Sequence, residues 1–319
     1  MKIGIIGCGR WGSFLSWYLD RTGHDVALYG RKSSQNMQTL LATRKNEFLE
    51  LNCNIKLTTE MSDFEDKDVI IISIGSQGLR NVFEELREKG LTHKSFVLCM
   101  KGIEISTSKR LSQIANEFLA PNGRVAVWLG PGHVQEFYAK IPNCMVIDSE
   151  DEDFKKQLIG EFSSDIIRLY YGEDIIGNEI GAAAKNVIGI AAGMLDGKGL
   201  SSLKGALMAR GAREVARLIK AMGGNELSAY GLCHLGDYEA TVFSKFSHNR
   251  RFGEAFITGG TSDGLAEGYY TVCAIMKLCE EYRVEMPICT TVFEILYKNK
   301  SPDKALEELF SRRSKKEFY

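Results

Sequence analysis

The sequence predicts an α/β N-terminal domain with a mostly parallel sheet, followed by an all-α C-terminal domain. Up to about Gly172, short β-branched runs alternate with helical segments, which is typical of a parallel sheet covered by helices. Beyond about Asp174, strand-like runs stop and long segments with helical spacing take over. The chain has 319 residues, too many for one typical hydrophobic core, so we expect two domains, 1–172 and 173–319.

Seven short apolar runs are predicted to be the strands of this sheet. Each is rich in β-branched or other apolar residues and is followed by a polar or helical segment. In chain order the runs are KIGIIG, DVALYG, DVIIISIG, SFVLCMKG, RVAVWLGPG, NCMVIDS and IIRLYYG. We expect a helix at FLSWYLDRTG, after the first run, and a helical connection between the second run and the third.

Residues 180–195, IGAAAKNVIGIAAGML, form the most informative of the predicted C-terminal helices. Ala and Gly dominate this segment, which predicts a buried helix, and Lys185 is its one charge. Burial disfavours an ammonium and lowers the pKa of a lysine toward neutrality, where it can act as a general acid or base. The alternative is a lysine whose ammonium reaches solvent from a core helix. GALMARGAREVARLIKAMGG and GLAEGYYTVCAIMKLCEEY predict further helices.

Composition and charge exclude several classes of function. The formal net charge is −1, which gives no reason to expect a nucleic-acid or anionic-membrane partner. No apolar run reaches ~18 residues and MKIGIIG leads directly into a strand, so neither a membrane span nor a signal peptide is expected. The eight cysteines include no C-x-x-C pair, and the five histidines show no metal-ligand spacing. We therefore expect a reduced, cytoplasmic protein without a structural metal.

The segment GCGRWG at residues 7–12 fits the dinucleotide-binding pattern G-x-G-x-x-G. It follows the first predicted strand and opens a helix, which is the context that gives this pattern its meaning. There the first glycine allows the tight turn, the second admits a pyrophosphate and the third lets the helix pack on the strand. Helix amides and the helix dipole favour the phosphates. We therefore expect a Rossmann-type domain, with Gly7, Gly9, Arg10 and Gly12 as candidate cofactor-binding residues.

The end of the second predicted strand bears on the choice between NAD and NADP. NAD-specific sites usually carry an acidic residue there to hold the ribose hydroxyls. Here the chain reads YGRKSS, residues 29–34, without an acid. The cations of Arg31 and Lys32 would suit a 2′-phosphate, which favours NADP over NAD, although both could be solvated surface charges.

Eight segments follow one another in an order that points to one enzyme family. They are GCGRWG, CMKGIE, GPGHVQEF, GNEIGAAAKNVIGIAAGMLDGKGL, KGALMARGAREVARL, GLCHLGDYEATVFSKFSHNRRFGEAF, AEG and VEMPI. Over essentially the whole chain, the sequence resembles the bacterial-type NAD(P)-dependent glycerol-3-phosphate dehydrogenases. AKN and G-D-x-x-x-T…S-x-N-R-R-F-G are far more specific than the glycine pattern. The resemblance implies reduction of dihydroxyacetone phosphate to sn-glycerol 3-phosphate, for phospholipid synthesis, by a soluble and usually homodimeric enzyme.

The resemblance also implies roles for individual residues. Lys185 matches the family's proton donor and acceptor, and Asp237 is the second residue with an implied catalytic role. The implied substrate-binding residues are Lys101, Gly130, Gly132, Asn186, Thr241, Ser247, His248 and Asn249. The further implied cofactor-binding residues are Trp11, Arg31, Lys101, Val134, His248, Leu265 and Glu267.

The chemistry of hydride transfer agrees with these roles. Hydride addition to a ketone builds negative charge on the carbonyl oxygen, which an ammonium can stabilise and protonate; in reverse, the neutral amine takes the proton. Asp237 could orient Lys185, although a carboxylate raises the pKa of a nearby lysine and so opposes the lowering of that pKa by burial. Alternatively, Asp237 could be a helix N-cap. Lys101, Arg250 and Arg251 offer positive charge for phosphate groups, or cover a solvated surface.

Two substitutions depart from the family pattern at the substrate site. The usual G-P-S loop is GPG at residues 130–132, which removes a hydroxyl. His248 replaces the arginine of S-R-N that meets the substrate phosphate and the cofactor pyrophosphate, and histidine cannot make that bidentate contact, a loss of about 1.5–3 kcal/mol. Either Arg250 or protonated His248 compensates for the lost arginine contact, or the protein acts on a different phosphorylated or polyol-like ketone. A non-catalytic cofactor sensor is a third possibility.

Overall fold

An eight-stranded sheet forms the N-terminal part of the computed structural model, which describes residues 1–261, 264, 266–314, 316 and 317. The strands are β1 (Lys2–Ile6), β2 (Asp25–Tyr29), β3 (Lys56–Thr58), β4 (Val69–Ile72), β5 (Ser95–Leu98), β6 (Arg124–Leu129), β7 (Asn143–Asp148) and β8 (Ile167–Tyr171). All seven runs predicted as strands are strands.

The order of the strands creates a crevice at one edge of the sheet. The order is β3-β2-β1-β4-β5-β6-β7-β8, and neighbouring strands are parallel except β6 and β7. The order reverses between β1 and β4, and ligands of such sheets bind where the strands on either side of this point end. The segments that follow β1, β4, β5 and β6 therefore meet at one edge.

Twelve α-helices complete the described structure. Those in the connections of the sheet are α1 (Arg10–Arg21), α2 (Gln35–Thr43), α3 (Leu79–Glu88), α4 (Leu111–Asn116), α5 (Val134–Tyr138) and α6 (Glu152–Phe162). Those after β8 are α7 (Ile175–Gly197), α8 (Lys204–Ala221), α9 (His248–Thr258), α10 (Glu267–Tyr282), α11 (Pro287–Lys298) and α12 (Pro302–Phe310). Shorter 3₁₀ segments are Met61–Phe64, Ser76–Gly78, Ser201–Leu203, Glu226–Tyr230 and Leu235–Asp237, and Glu239–Phe243 is a π-helical segment.

The change from strands to helices confirms the predicted fold class. Beyond Tyr171, the described residues form helices and loops and no further strand. The predicted domain division at 172/173 falls at this change and stays a prediction. Of the helices in the described part of the chain, none is both long enough and apolar enough to span a bilayer.

The connection between the second and third predicted strands is only partly helical. It contains α2 and then β3, which pairs in parallel with β2 from Ala27↔Lys56 to Tyr29↔Thr58. Three residues are too few to show the alternation of buried and exposed positions that identifies a longer strand. The helix predicted in this connection is confirmed by α2, whereas β3 was not predicted, for that reason.

Three hydrophobic clusters hold the elements together. One face of the sheet, with Ile3 and Ile5, packs against α1 and α6. The opposite face, with Ile70 and Ile72, packs against α3 and α4. The third cluster surrounds α7, which is buried almost throughout residues 177–194. The buried helix predicted over residues 180–195 is therefore confirmed.

Glycines bring α7 and α9 into backbone contact. A Cβ at Gly193 of α7 would collide with the carbonyl oxygen of Arg250, and a Cβ at Gly253 of α9 would collide with that of Ile190. Interiors are close-packed, so larger side chains at either glycine would push the helices apart. The close contact places the first turn of α9 beside the middle of α7.

A buried ion pair joins the sheet-bearing part of the chain to α7. Arg110, the residue before α4, donates to Glu179 of α7, and the two side chains are 8% and 5% exposed. The Glu179 carboxylate also accepts from the amide and hydroxyl of Ser112, at 2.8 and 2.5 Å. Removing one partner of such a pair leaves the other charge buried without compensation.

Glu179→Ala is expected to lower the free energy of unfolding by about 3–5 kcal/mol, because the Arg110 guanidinium then stays buried without its counter-charge. Urea unfolding followed by circular dichroism measures the change. Glu50→Ala is the control, since it removes an exposed pair with Lys45 and is expected to change stability by less than about 1 kcal/mol. Equal effects of the two substitutions would contradict this account.

Candidate active site

Lys185 lies in the middle of α7 and is buried, with 7% of its surface exposed. Its Nζ donates to Thr241 Oγ1 at 2.6 Å and lies 2.9 Å from Asp237 Oδ2. The alternative of a lysine that reaches solvent is therefore wrong. Burial lowers the pKa of Lys185 to about 8, while Asp237 opposes this shift and Lys101 adds to it.

Asp237 joins two lysines. It ends the 3₁₀ segment Leu235–Asp237 and is 1% exposed. Its Oδ2 accepts from Lys101 Nζ at 2.7 Å and lies 2.9 Å from Lys185 Nζ. Its backbone carbonyl oxygen accepts from Thr241 Oγ1 at 2.7 Å. The carboxylate thus pairs with cations instead of capping a helix, and it has the geometry to orient Lys185.

The loops after β5 and β6 supply the second lysine and its support. Lys101 follows β5, and its Nζ donates to the carbonyl oxygen of Gly130, after β6, at 2.7 Å. Gly130 and Gly132 have φ values of +134° and +135°, a region that glycine enters at no steric penalty. Because both loops leave the sheet at the same edge, Lys101 connects that edge to Asp237 in the helical part of the chain.

Two asparagines connect α7, α9 and α10. Asn186 Nδ2 donates to the carbonyl oxygen of Lys101 at 3.1 Å, and Asn186 Oδ1 accepts from Asn249 Nδ2 at 3.1 Å. Asn249 Oδ1 accepts from the Gly268 amide at 2.9 Å. The structure therefore brings these two predicted substrate-binding residues together beside Lys185, and their contact with a substrate stays a prediction.

The first turn of α9 overturns one expectation about phosphate binding. Ser247 is the N-cap of α9, and its Oγ accepts from the Arg250 amide at 3.2 Å. The Arg250 guanidinium donates to Asp196 at 2.6 Å and to Glu254 at 3.2 Å. These carboxylates neutralise Arg250, so the expectation that Arg250 could replace the missing arginine was wrong.

His248 lies between two other arginines. Arg10 Nη2 lies 2.9 Å from His248 Nε2, and Arg251 Nη2 lies 2.9 Å from His248 Nδ1. Arg10 is the first residue of α1 and His248 the first of α9. The altered position in the family pattern therefore meets the glycine-rich turn through Arg10.

The glycine-rich turn has room for a ligand. Gly7 has a φ of +111°, and a Cβ there would collide with the carbonyl oxygen of Ser73. A Cβ at Gly12 would collide with the carbonyl oxygen of Gly7, so α1 packs tightly on the turn. A Cβ at Gly9 would have no described atom within 4 Å. This open space at the N-terminus of α1 fits the pyrophosphate of a dinucleotide.

Two predicted cofactor-binding residues lie in an aromatic and apolar cluster near this turn. Trp11 packs against Phe14 and Phe137, with ring centroids 5.1 and 6.1 Å apart. Val134 is buried at the start of α5. The cluster supports the turn from the side of α5, and contact of either residue with a cofactor stays a prediction.

The remaining predicted cofactor-binding residues are more widely spread. Glu267, at the start of α10, accepts from the amide of Ser76 at 3.2 Å and from its hydroxyl at 2.5 Å, and burial raises the pKa of Glu267. Glu267 thereby ties α10 to the segment after β4. Arg31 and Lys32 are exposed beyond β2, and their side chains form no hydrogen bond or ion pair with described residues. Leu265 lies outside the described residues.

Sequence reasoning did not single out His133, which also belongs to this site. It follows Gly132, and the charges of Asp237, Lys185 and Lys101 act on its ring. Burial lowers the pKa of His133, and its Nε2 is buried without a hydrogen-bond partner in the described part of the chain. Its position in the loop after β6, at the edge where ligands bind, was the available signal.

Comparison with known proteins identifies the family. A family model described as NAD-dependent glycerol-3-phosphate dehydrogenase N-terminus matches residues 2–155, and its C-terminus counterpart matches residues 174–307. The chain belongs to the NAD-dependent glycerol-3-phosphate dehydrogenase family. The resemblance stated from the sequence is confirmed.

Full-length relatives agree with this family. Glycerol-3-phosphate dehydrogenase (NAD(P)+) of Thermotoga sp. (strain RQ2) is 33% identical over 100% of this chain and 99% of its own. The protein of the same name from Thermoanaerobacter sp. (strain X514) is 32% identical over the same shares. The crystal structure of glycerol-3-phosphate dehydrogenase from Coxiella burnetii superposes with a TM-score of 0.90 at 28% identity, covering 98% of this chain and 99% of that one.

Gly9→Ala is expected to weaken binding of NADH and NADPH by roughly tenfold or more, because the added methyl group enters the space left for the pyrophosphate. The stability of this variant should stay unchanged, since the φ of Gly9, −77°, suits alanine. Gly12→Ala is the matched variant: its Cβ collides with backbone, so about 1–3 kcal/mol of stability should be lost. For each variant, a titration followed by cofactor fluorescence measures the affinity, and thermal unfolding measures the stability. Unimpaired cofactor binding by Gly9→Ala would overturn the placement of the ligand.

Proposed function

We propose that this protein catalyses the reversible NAD(P)H-dependent reduction of dihydroxyacetone phosphate to sn-glycerol 3-phosphate. The observation that carries the proposal is Lys185, a buried lysine with a pKa of about 8 that Asp237 and Thr241 hold at the sheet edge. Such a lysine can give and take the proton that ketone reduction and alcohol oxidation require. The names of the full-length relatives support this substrate.

The contacts of Lys185 with the described residues leave one N–H group for the substrate. An ammonium has three N–H groups; one donates to Thr241 Oγ1 and another faces Asp237 Oδ2. The third is available to a ketone oxygen, where it stabilises the developing negative charge and becomes the transferred proton. The neutral amine that results keeps two N–H groups for Thr241 and Asp237. Its lone pair can then take the hydroxyl proton in the reverse reaction.

Asp237 and Lys101 act on the pKa of Lys185 from opposite sides. The carboxylate stabilises the ammonium form, whereas the positive charge of Lys101, on the same carboxylate, disfavours it. Together with burial, this balance holds the proton where it can be released and regained near neutral pH. A bound nicotinamide cofactor supplies the hydride in reduction and accepts it in oxidation. The turn at residues 7–12 and the N-terminus of α1 would hold its pyrophosphate.

The finer assignments also belong to this proposal. The exposed cations of Arg31 and Lys32 support NADP over NAD, because they offer charge to a 2′-phosphate. The family supports a homodimer, a cytoplasmic location and a part in glycerophospholipid synthesis. The predicted substrate-binding residues around Lys185 support a phosphorylated small molecule as the substrate.

A steady-state assay with dihydroxyacetone phosphate and either NADPH or NADH tests the activity. Oxidation of the reduced cofactor is expected. No oxidation by protein that still binds the cofactor would contradict the proposal. His248, in place of the family's arginine, favours a second candidate, a different phosphorylated or polyol-like ketone. Oxidation with another member of a ketone panel, and not with dihydroxyacetone phosphate, would establish that candidate instead.

Lys185→Ala is expected to lower kcat by at least about a hundredfold, because the proton donor is lost, while the cofactor dissociation constant changes little. Steady-state kinetics and a cofactor titration measure the two quantities. Lys198→Ala is the control, since Lys198 directly follows α7 and pairs at the surface with Asp303. If both alanine variants retained wild-type turnover, Lys185 would not be the acid and base.

The pH dependence of kcat should report the pKa of Lys185. Oxidation needs the neutral amine and should speed up as pH rises through about 8, whereas reduction needs the ammonium and should slow down over the same range. Asp237→Asn removes the charge that favours the ammonium, so its residual activity should show a lower apparent pKa. Lys101→Met removes the opposing charge and should show a higher one. Shifts in the same direction would refute this electrostatic account.

A further inference from the structure

The first residues of α1 and α9 meet through their side chains. Arg10, which begins α1, places Nη2 2.9 Å from His248 Nε2, and His248 begins α9. From the next turn of α9, Arg251 places Nη2 2.9 Å from His248 Nδ1. Two guanidinium groups from distant parts of the chain therefore flank one imidazole ring.

Among the contacts that Arg10 and Arg251 make with described residues, hydrogen-bond donors outnumber acceptors. A neutral imidazole can accept at one of its ring nitrogens only, and a guanidinium can only donate, so one of the two arginines faces an N–H group. A protonated imidazole could accept from neither. Arg251 Nε is also buried, with no hydrogen-bond partner in the described residues. An anion with several oxygens would supply the missing acceptors.

No carboxylate in the described part of the chain pairs with Arg10 or Arg251, in contrast to the neighbouring Arg250. Arg250 donates to the carboxylates of Asp196 and Glu254, whereas neither Arg10 nor Arg251 forms an ion pair with a described residue. The Arg10 guanidinium instead lies 4.5 Å from the ring centroid of Phe48. Burial lowers the pKa of Arg10, Glu47 opposes this, and the charge of Arg251 lowers it further. Two cations thus flank one imidazole ring, and an anion that contacted both guanidinium groups would stabilise them.

The surroundings indicate which anion belongs there. Arg10 follows Gly9, whose added Cβ would enter open space, and both α1 and α9 direct the positive ends of their dipoles to this place. We infer that Arg10 and Arg251 form a divided clamp for the pyrophosphate of the nicotinamide dinucleotide, with His248 as the spacer between them. The inference rests on the proposed function only for the identity of this ligand. The clamp supplies the charge that the family's arginine would supply at position 248.

The clamp also explains how the family's arginine at position 248 can be absent without loss of the positive charge that faces the pyrophosphate. Histidine is shorter than arginine, and here it leaves space that the guanidinium groups of Arg10 and Arg251 approach from either side. A bidentate contact from one arginine is thereby replaced by two guanidinium groups, one from each half of the chain. Cofactor binding would then hold the first turns of α1 and α9 together.

Cofactor titration of substrate-free protein tests the clamp. Dissociation constants for NADPH, NADH and inorganic pyrophosphate are measured for Arg10→Gln, Arg251→Gln and the double variant. Each single substitution is expected to raise all three constants roughly ten- to hundredfold, because a charge-assisted phosphate contact is lost. Arg21→Gln is the control: it lies at the other end of α1, pairs with Asp165 at the surface and should bind as wild type does.

A second measurement separates the clamp from a purely structural role. Each substitution relieves repulsion between two cations, so the melting temperature of cofactor-free protein should stay equal or rise, while the rise caused by added NADPH should shrink. Arg251→Lys, which keeps the charge, should recover part of the affinity.

Three results would overturn the inference. The first is unchanged dissociation constants in both single variants, and the second is a fall in stability that accounts for the weaker binding. The third is a rise confined to the KM for dihydroxyacetone phosphate, which would assign the arginines to the substrate phosphate. The titrations need no turnover. Wild-type protein that binds NADPH through both arginines but does not reduce dihydroxyacetone phosphate would therefore remove the proposed substrate and leave the clamp in place.

Discussion

The contact between the Lys185 ammonium and the Asp237 carboxylate is the interaction on which the site depends. Both side chains are almost completely buried, at 7% and 1% exposure, and a buried charge without a partner is strongly destabilising. Lys101 brings a second cation to the same carboxylate from the edge of the sheet. The pair therefore fixes the protonation of Lys185 and also connects the sheet to the helices. The proposed catalysis and the contact between the sheet and the helices therefore depend on one cluster of charges.

The small residues of α7 help to bury that cluster. Gly193 of α7 and Gly253 of α9 let the two helices approach until backbone meets backbone. Close packing buries the side chains between the helices, and burial is the largest cause that lowers the pKa of Lys185 to about 8. The same approach sets Asn186 beside Asn249 and carries His248 to Arg10. A helix rich in Ala and Gly thus buries the proposed acid and base and positions the groups proposed to bind an anion.

Much of the fold and part of the site could be predicted from the sequence, and the difference follows from the range of the interactions. Strands, the buried α7 and the G-x-G-x-x-G turn show in local patterns of a few residues. β3 is too short to leave such a pattern. Which cations stay unpaired depends on contacts across the chain: Arg250 and Arg251 are neighbours in sequence, yet only Arg250 meets the carboxylates of Asp196 and Glu254. The place of His133 beside the lysines likewise follows from the packing of β6 against the helices.

The most direct test of the central claim is an NMR titration of the Lys185 side chain in protein carrying isotope-labelled lysine. Lys185→Arg, whose spectrum lacks one resonance, assigns the signal. In cofactor-free protein we expect Lys185 to titrate near 8, well below the ordinary value of 10.5. A midpoint at or above 10.5 would show that Asp237 outweighs burial, and would contradict the assignment of Lys185 as an acid and base near neutral pH.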